Sequence, residues 1–299
     1  ALDSYEVIPS ISEEEQQAKA NAELLQAYLS AKKIEGCSEK TIGYYQSTID
    51  TLFVAVCKPV CDVTTNDIRN YLSGYQEQRK VSRVTIDNMR RIFSSFFAWL
   101  EDEDFIVKSP VRRIHRVRTE SLLKEVLTDE NMEVLRDSCQ EIRDIAMIDL
   151  LASTGMRVGE LVNLNREDID FHERQCVVFG KGNKEREVYF NARTKIHLQN
   201  YLSSRTDDNP ALFVSLSNPH SRLSISGVEV RLRTLGRKVN IAKVHPHKFR
   251  RTLATMAIDK GMPIEQVQRL LGHVKIDTTL HYAMVNQNNV KMAHRKYIG

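Results

Sequence analysis

Five places in the second half of the 299-residue chain set cations, histidines or a tyrosine where a fold alone does not require them. The first is Thr154-Gly155-Met156-Arg157-Val158-Gly159-Glu160-Leu161. Gly155 is expected to end one helix there, and Arg157 to open the next with Glu160 on the same face. The second is Lys181, held between two glycines at the tip of a predicted hairpin. The third is His245-Pro246-His247-Lys248-Phe249-Arg250-Arg251. Pro246 suits a first helical turn, which sets His247 and Arg250 on one side. In Leu270-Leu271-Gly272-His273 the glycine stops a helix, so His273 is presented from a turn. The fifth is Tyr282, nine residues after His273.

Taken singly, each has an ordinary structural use. Arg157 and Glu160 would make a surface ion pair, Lys181 a solvated turn, and Tyr282 a packed ring. Taken together they define one chemistry. Arginines clamp a phosphate with paired N–H donors and stay charged throughout a reaction. A tyrosine can form a covalent phosphoryl ester, while lysine and histidine move the protons of nucleophile and leaving group. The set therefore points to metal-free phosphoryl transfer through a tyrosyl ester. A metal site at His245 and His247 lacks a third ligand, and no HExxH pattern or carboxylate cluster supplies one.

The first hundred residues must then do something other than catalysis, and they read as helices. Leu24, Leu25, Tyr28 and Leu29 recur at helical spacing up to Gly36. Ser38 caps a second predicted helix carrying Ile42, Tyr45, Ile49, Leu52 and Phe53. Thr64 and Asp67 form a predicted capping box ahead of Ile68, Tyr71 and Leu72. Ser82 opens a fourth helix with the apolar face Ile86, Met89, Ile92, Phe93, Phe96, Phe97 and Leu100. Four helices without a strand signal predict a small bundle. The acidic run Glu101–Asp104 then gives way to Lys108, Arg112, Arg113, His115, Arg116 and Arg118, with no acid among them and Pro110 as a breaker. Such a stretch suits a solvated linker or a crossing of a phosphate backbone. Beyond Leu127 the pattern is again helical, apart from strands at 175–179 and 187–190 around Gly180-Lys181-Gly182-Asn183-Lys184, and a shorter strand at 212–214.

Composition narrows the classes. Apolar residues at 41% and charged residues at 27% exclude a disordered or fibrous chain. No apolar run reaches the ~18 residues of a membrane span, since Ile145–Ala152 is short and broken by Asp149. The acidic segment Ser12–Glu15 is unlike a secretory leader. Five cysteines without a CxxC pair read as buried thiols in a reducing compartment, not as a zinc site. A net charge of +4 is too mild to identify a partner, so the distribution of charge matters more.

In order and spacing, the motifs TGMRVGEL, GKGNKER, HPHKFRRTLAT and VQRLLGHVKIDTTLHY resemble the tyrosine recombinase (lambda-integrase-like, Xer-like) family along nearly the whole chain. The resemblance implies a mainly α fold with a small β-sheet (α+β), a SAM-like core-binding bundle and a catalytic domain. The corresponding boundaries are an N-terminal extension at 1–16, the core-binding domain at 17–106, a basic linker at 107–122 and the catalytic domain at 123–299, with a short C-terminal helix at 290–297.

By this resemblance Arg157 and Arg250 would hold the scissile phosphate, Tyr282 would attack it, and Lys181 would protonate the departing 5′-oxygen. His247 would assist proton transfer and His273 would donate to the phosphate. Glu160 would orient His247 or its neighbours. Arg112, Arg113, Arg116, Arg118, Lys184, Arg186 and Arg251 would contact the DNA. No metal, ATP or other cofactor is implied. The implied partners are double-stranded recombination sites and three further copies of the chain, with the C-terminal helix exchanged between protomers and no membrane involved. The implied location is the cytoplasm, on nucleoid DNA of a prokaryote or mobile element.

Two departures bear on the branch. Arg251 stands where many relatives have histidine, and Ala283-Met284 follows the tyrosine where Xer resolvases commonly have Thr-His. They favour an integrase or transposase of a mobile element, with an Xer-type dimer resolvase as the alternative. A type IB topoisomerase, an inactive DNA-binding regulator and a histidine-metal hydrolase are weaker readings.

Overall fold

The structure is a computed structural model and describes residues 13–118, 125–180, 185–273, 275–276 and 279–280. The chain divides into two compact units, 1–122 and 123–299.

In the first unit, α1 (Glu13–Ile34), α2 (Glu39–Val56), α3 (Thr65–Arg79) and α4 (Arg83–Asp102) surround one apolar core. The helix starts follow side-chain caps. Ser38 accepts from the Thr41 N–H, Ser82 from the Thr85 N–H, and Thr64 and Asp67 close a reciprocal box. Ile86, Met89, Ile92, Phe93, Phe96, Phe97 and Leu100 of α4 are all buried, the stripe its sequence spells out. Tyr28 of α1 meets Phe96 edge to face, with ring centroids 5.1 Å apart, and donates its hydroxyl to Ser95. The basic segment after α4 is fixed to this bundle. Pro110–Arg113 forms a 3-10 turn, Val111 is buried in the core, and Ile114 and Val117 pack against it. The Val117 N–H is held by Asp87 at 3.0 Å. Apolar residues thus recur every third position while the arginines between them face outward.

The second unit is built around α6 (Ile142–Thr154), whose Ala146, Met147, Ile148, Leu150 and Leu151 are buried. Packed about it are α8 (Ala192–Ser204) and α10 (Pro246–Asp259), and the unit also contains α5 (Asp129–Asp137), α7 (Val158–Asn163), α9 (Ile225–Lys238) and α11 (Ile264–Leu271). An antiparallel sheet, β1 (Ile169–Asp170), β2 (Gln175–Phe179) and β3 (Glu185–Tyr189), lies beside them in that order. Its inner face sets Cys176 opposite Val188 and Val178 opposite Arg186. A lesser cluster of Ala254, Val267 and Leu271 seats α11 on α10.

Three expectations need correction. The second hairpin strand begins at Glu185 and stops before Phe190. Residues 212–214 form no strand, only the isolated bridge of Val214 to Arg222, because the chain there turns between two such single contacts. Of the five thiols only Cys176 is buried; Cys57 and Cys61 are exposed, since α2 ends at Val56 and Cys57 caps it in the left-handed conformation.

Candidate active site

The site grows from three chain reversals. Helix α6 ends at Gly155 with φ +61°, a conformation open to glycine but strained for other residues. Arg157 then stands immediately before α7, with its backbone N–H on Glu160 Oε2 at 2.7 Å. Helix α11 ends at Gly272 with φ +63°, and His273 leaves from that turn. Pro246 opens α10 and brings His247 and Arg250 into its first turns.

Three arginines converge on the C-terminal end of α11. Arg186 Nε donates to the Leu270 carbonyl at 3.3 Å, Arg250 to the Leu271 carbonyl, and Arg157 to the Gly272 carbonyl at 3.1 Å. The last carbonyls of a helix have no partner within it and carry the negative end of its dipole, which favours cations. Arg250 also donates to the Gly155 carbonyl at 2.8 Å, so it ties the ends of α6 and α11 together while remaining buried.

Beneath them lies one buried carboxylate. Glu160 Oε1 accepts from Arg157 at 2.9 Å and Arg186 at 2.6 Å, and Oε2 accepts from Arg186 at 2.7 Å. Burial alone would push the Glu160 carboxyl up, but the hydrogen bonds and charge of Arg186 and Arg157 outweigh it and hold it below the ordinary range. Both histidines shift downward. Loss of water and then the cations Arg250 and Arg157 lower His247; burial, Arg250, Arg157 and Arg186 lower His273 to about 4. His273 Nδ1 lies 2.8 Å from the buried Thr279 hydroxyl. At neutral pH the His273 ring is uncharged, and the positive charge beside it belongs to guanidinium groups. An anion entering here meets groups that are already cationic.

Arg157, Glu160, Arg250 and His273 are therefore brought together, with His247 on the same helix as Arg250 and within electrostatic reach of Arg157. Lys181, Lys184, Tyr282 and the C-terminal helix expected at 290–297 lie outside the described residues. Arg112, Arg113, Arg116 and Arg118 are exposed along the outer side of the segment that follows α4. Arg251 is half-buried on α10 beside Arg250.

Arg186 differs from expectation. It does not extend from the hairpin towards solvent; both terminal nitrogens grip Glu160 and the side chain is 11% exposed. Glu160 correspondingly holds the two arginines and not His247. The signal was present in the period of two: Arg186 shares the inner face of β3 with buried Val188. Among the described residues, no three His, Cys, Asp or Glu side chains gather to hold a metal.

Residues 123–289 match the Phage integrase family and residues 24–106 match the phage integrase N-terminal SAM-like domain. The tyrosine recombinase XerC of Staphylococcus aureus (strain bovine RF122 / ET3-1) is 30% identical over 284 residues, covering 90% of this chain and 94% of that protein. XerA recombinase is 28% identical with a TM-score of 0.54, covering 93% of this chain and 99% of that one. The Tn1549 transposon integrase, solved in complex with transposon right end DNA, shares the fold at 20% identity and a TM-score of 0.76, covering 92% and 99%. The chain belongs to the phage integrase family of tyrosine recombinases.

Proposed function

We propose that this site-specific DNA recombinase cuts and rejoins duplex DNA through Tyr282, and that it serves a mobile element as integrase or transposase. Arg157 and Arg250 receive the non-bridging oxygens of the scissile phosphate. The Tyr282 oxygen attacks phosphorus in line, forming a 3′-phosphotyrosyl ester as the bond to the 5′-oxygen breaks. Lys181 gives that oxygen its proton, His247 takes the proton of the tyrosine, and His273 donates to the phosphate. The ester conserves the energy of the broken bond, so resealing runs the same steps backwards without ATP. Four protomers exchange strands through a Holliday junction, working on nucleoid DNA in the cytoplasm. No helix among the described residues is long and apolar enough to cross a membrane.

The observation that supports this most is the placement of Arg157 and Arg250 on adjacent carbonyls at the end of α11, one and two residues before His273. Arg251 and the Ala283-Met284 pair favour the mobile-element role. A second reading, Xer-type dimer resolution, is supported by the likeness to XerC over nine-tenths of both chains.

The test is Tyr282→Phe on a nicked suicide duplex selected by the protein from a random-sequence pool. The variant is expected to bind it normally and to form no covalent adduct. A persistent adduct would remove Tyr282 as nucleophile.

A further inference from the structure

Glu160 is one buried negative charge facing two arginines. Were Arg157 its sole partner, a guanidinium and a carboxylate would close into a two-point pair of zero net charge, with Arg157 turned away from any phosphate. The structure shows a different division. Arg186 takes the two-point grip on Glu160, and Arg157 contributes one terminal nitrogen there and one to Gly272. Of the five N–H donors of its side chain, three remain without a partner among the described residues. The trio of Arg157, Arg186 and Glu160 keeps one net positive charge, on the more exposed arginine.

Arg186 also fixes position. It is the second residue of β3, and its Nε holds the Leu270 carbonyl. A Cβ built on Gly272 would lie 2.9 Å from its Cδ, so strand and helix end are in close contact here. The same side chain thus ties β3 to the turn that presents His273.

We propose that Arg186 is a positioning residue for cleavage: it occupies Glu160 so that Arg157 stays available to the phosphate, and it sets β3 against the end of α11. This rests on the recombinase reading above. It assigns Arg186 to the interior of the site and not to the DNA backbone.

Four proteins test it: wild type, Arg186→Met, Arg186→Lys and the double variant Arg186→Met with Glu160→Gln. Each is assayed for affinity and salt dependence on the selected duplex, and for the first-order rate of adduct formation at saturating protein. Arg186→Met is expected to keep its affinity and lose on the order of 100-fold in rate, as a small misplacement of a catalytic group does. The double variant should regain roughly tenfold, because a neutral residue 160 no longer captures Arg157.

A normal rate in Arg186→Met, with weaker binding and a salt slope smaller by about one phosphate contact, would make Arg186 a backbone ligand and overturn the proposal. A lost rate with no recovery in the double variant would also overturn it. Should Arg186→Met fail to fold, Arg186→Lys decides: one ammonium cannot reproduce the two-point grip, and an unchanged rate sinks the idea. Wild type forming no adduct would instead sink the recombinase reading itself.

Discussion

Glu160 accepts the backbone N–H of Arg157 at 2.7 Å and its guanidinium at 2.9 Å, so the carboxylate that starts α7 also aims the arginine preceding it. Structure and chemistry share this one group. Glu160→Gln should therefore act on both. It leaves Arg157 and Arg186 without a counter-charge in a site where Glu160 is 3% exposed. Removing one member of such a buried pair costs roughly 3 kcal/mol. Urea unfolding followed by circular dichroism should show the loss, with slower adduct formation beside it. A variant as stable as wild type would mean the arginines are hydrated and the cluster is looser than its geometry.

The two left-handed glycines of the site, Gly155 and Gly272, make separable demands. An alanine at Gly155 would bring its Cβ within 2.7 Å of Leu253 Cδ2, and at Gly272 within 2.9 Å of Arg186 Cδ. Gly261 has φ +88° with nothing within 4 Å, and serves as the control for backbone strain alone. All three alanine variants should lose about 1–2 kcal/mol from the left-handed backbone. Only Gly155→Ala and Gly272→Ala should lose cleavage rate as well, since their carbonyls are held by Arg250 and Arg157. Equal rates in all three would show that neither helix end is tied to the chemistry.

Much of this was legible in the sequence for local reasons. Ser38, Thr64 and Ser82 act within a few residues of themselves, and so do Gly155 and Gly272, so the helix ends followed from neighbours. The α4 stripe was legible because its period matches the helix. What resisted was long-range. Arg186 meets the Glu160 carboxylate across 26 residues and the Leu270 carbonyl across 84, and Arg250 meets the Gly155 carbonyl across 95; the two backbone carbonyls carry no side-chain signature. A charged residue in a hairpin reads as solvated unless its strand face is followed, and that face placed Arg186 with Val188. In the basic segment the charges are conspicuous in the sequence, while Val111, Ile114 and Val117 decide where it lies.

The depressed histidines give the site a pH signature whose direction is fixed. Burial first, then Arg250, Arg157 and Arg186, bring His273 from 6.5 to about 4. Between those values the unfolded chain binds more protons than the folded one. Stability therefore rises with pH across the window, is complete above about 6.5 and is lost as pH falls towards 4. His247 and His245 shift the same way and add to the slope. The urea midpoint should fall between pH 7 and pH 5, and by less in His273→Gln than in wild type. Inorganic phosphate offers a second readout. By neutralising the guanidinium charge that suppresses protonation it should raise the His273 midpoint, seen as a shifted ring titration by NMR. A His273 ring that titrates at or above 6.5 in the free protein would place it away from the three arginines, and the preorganised anion site would have to be abandoned.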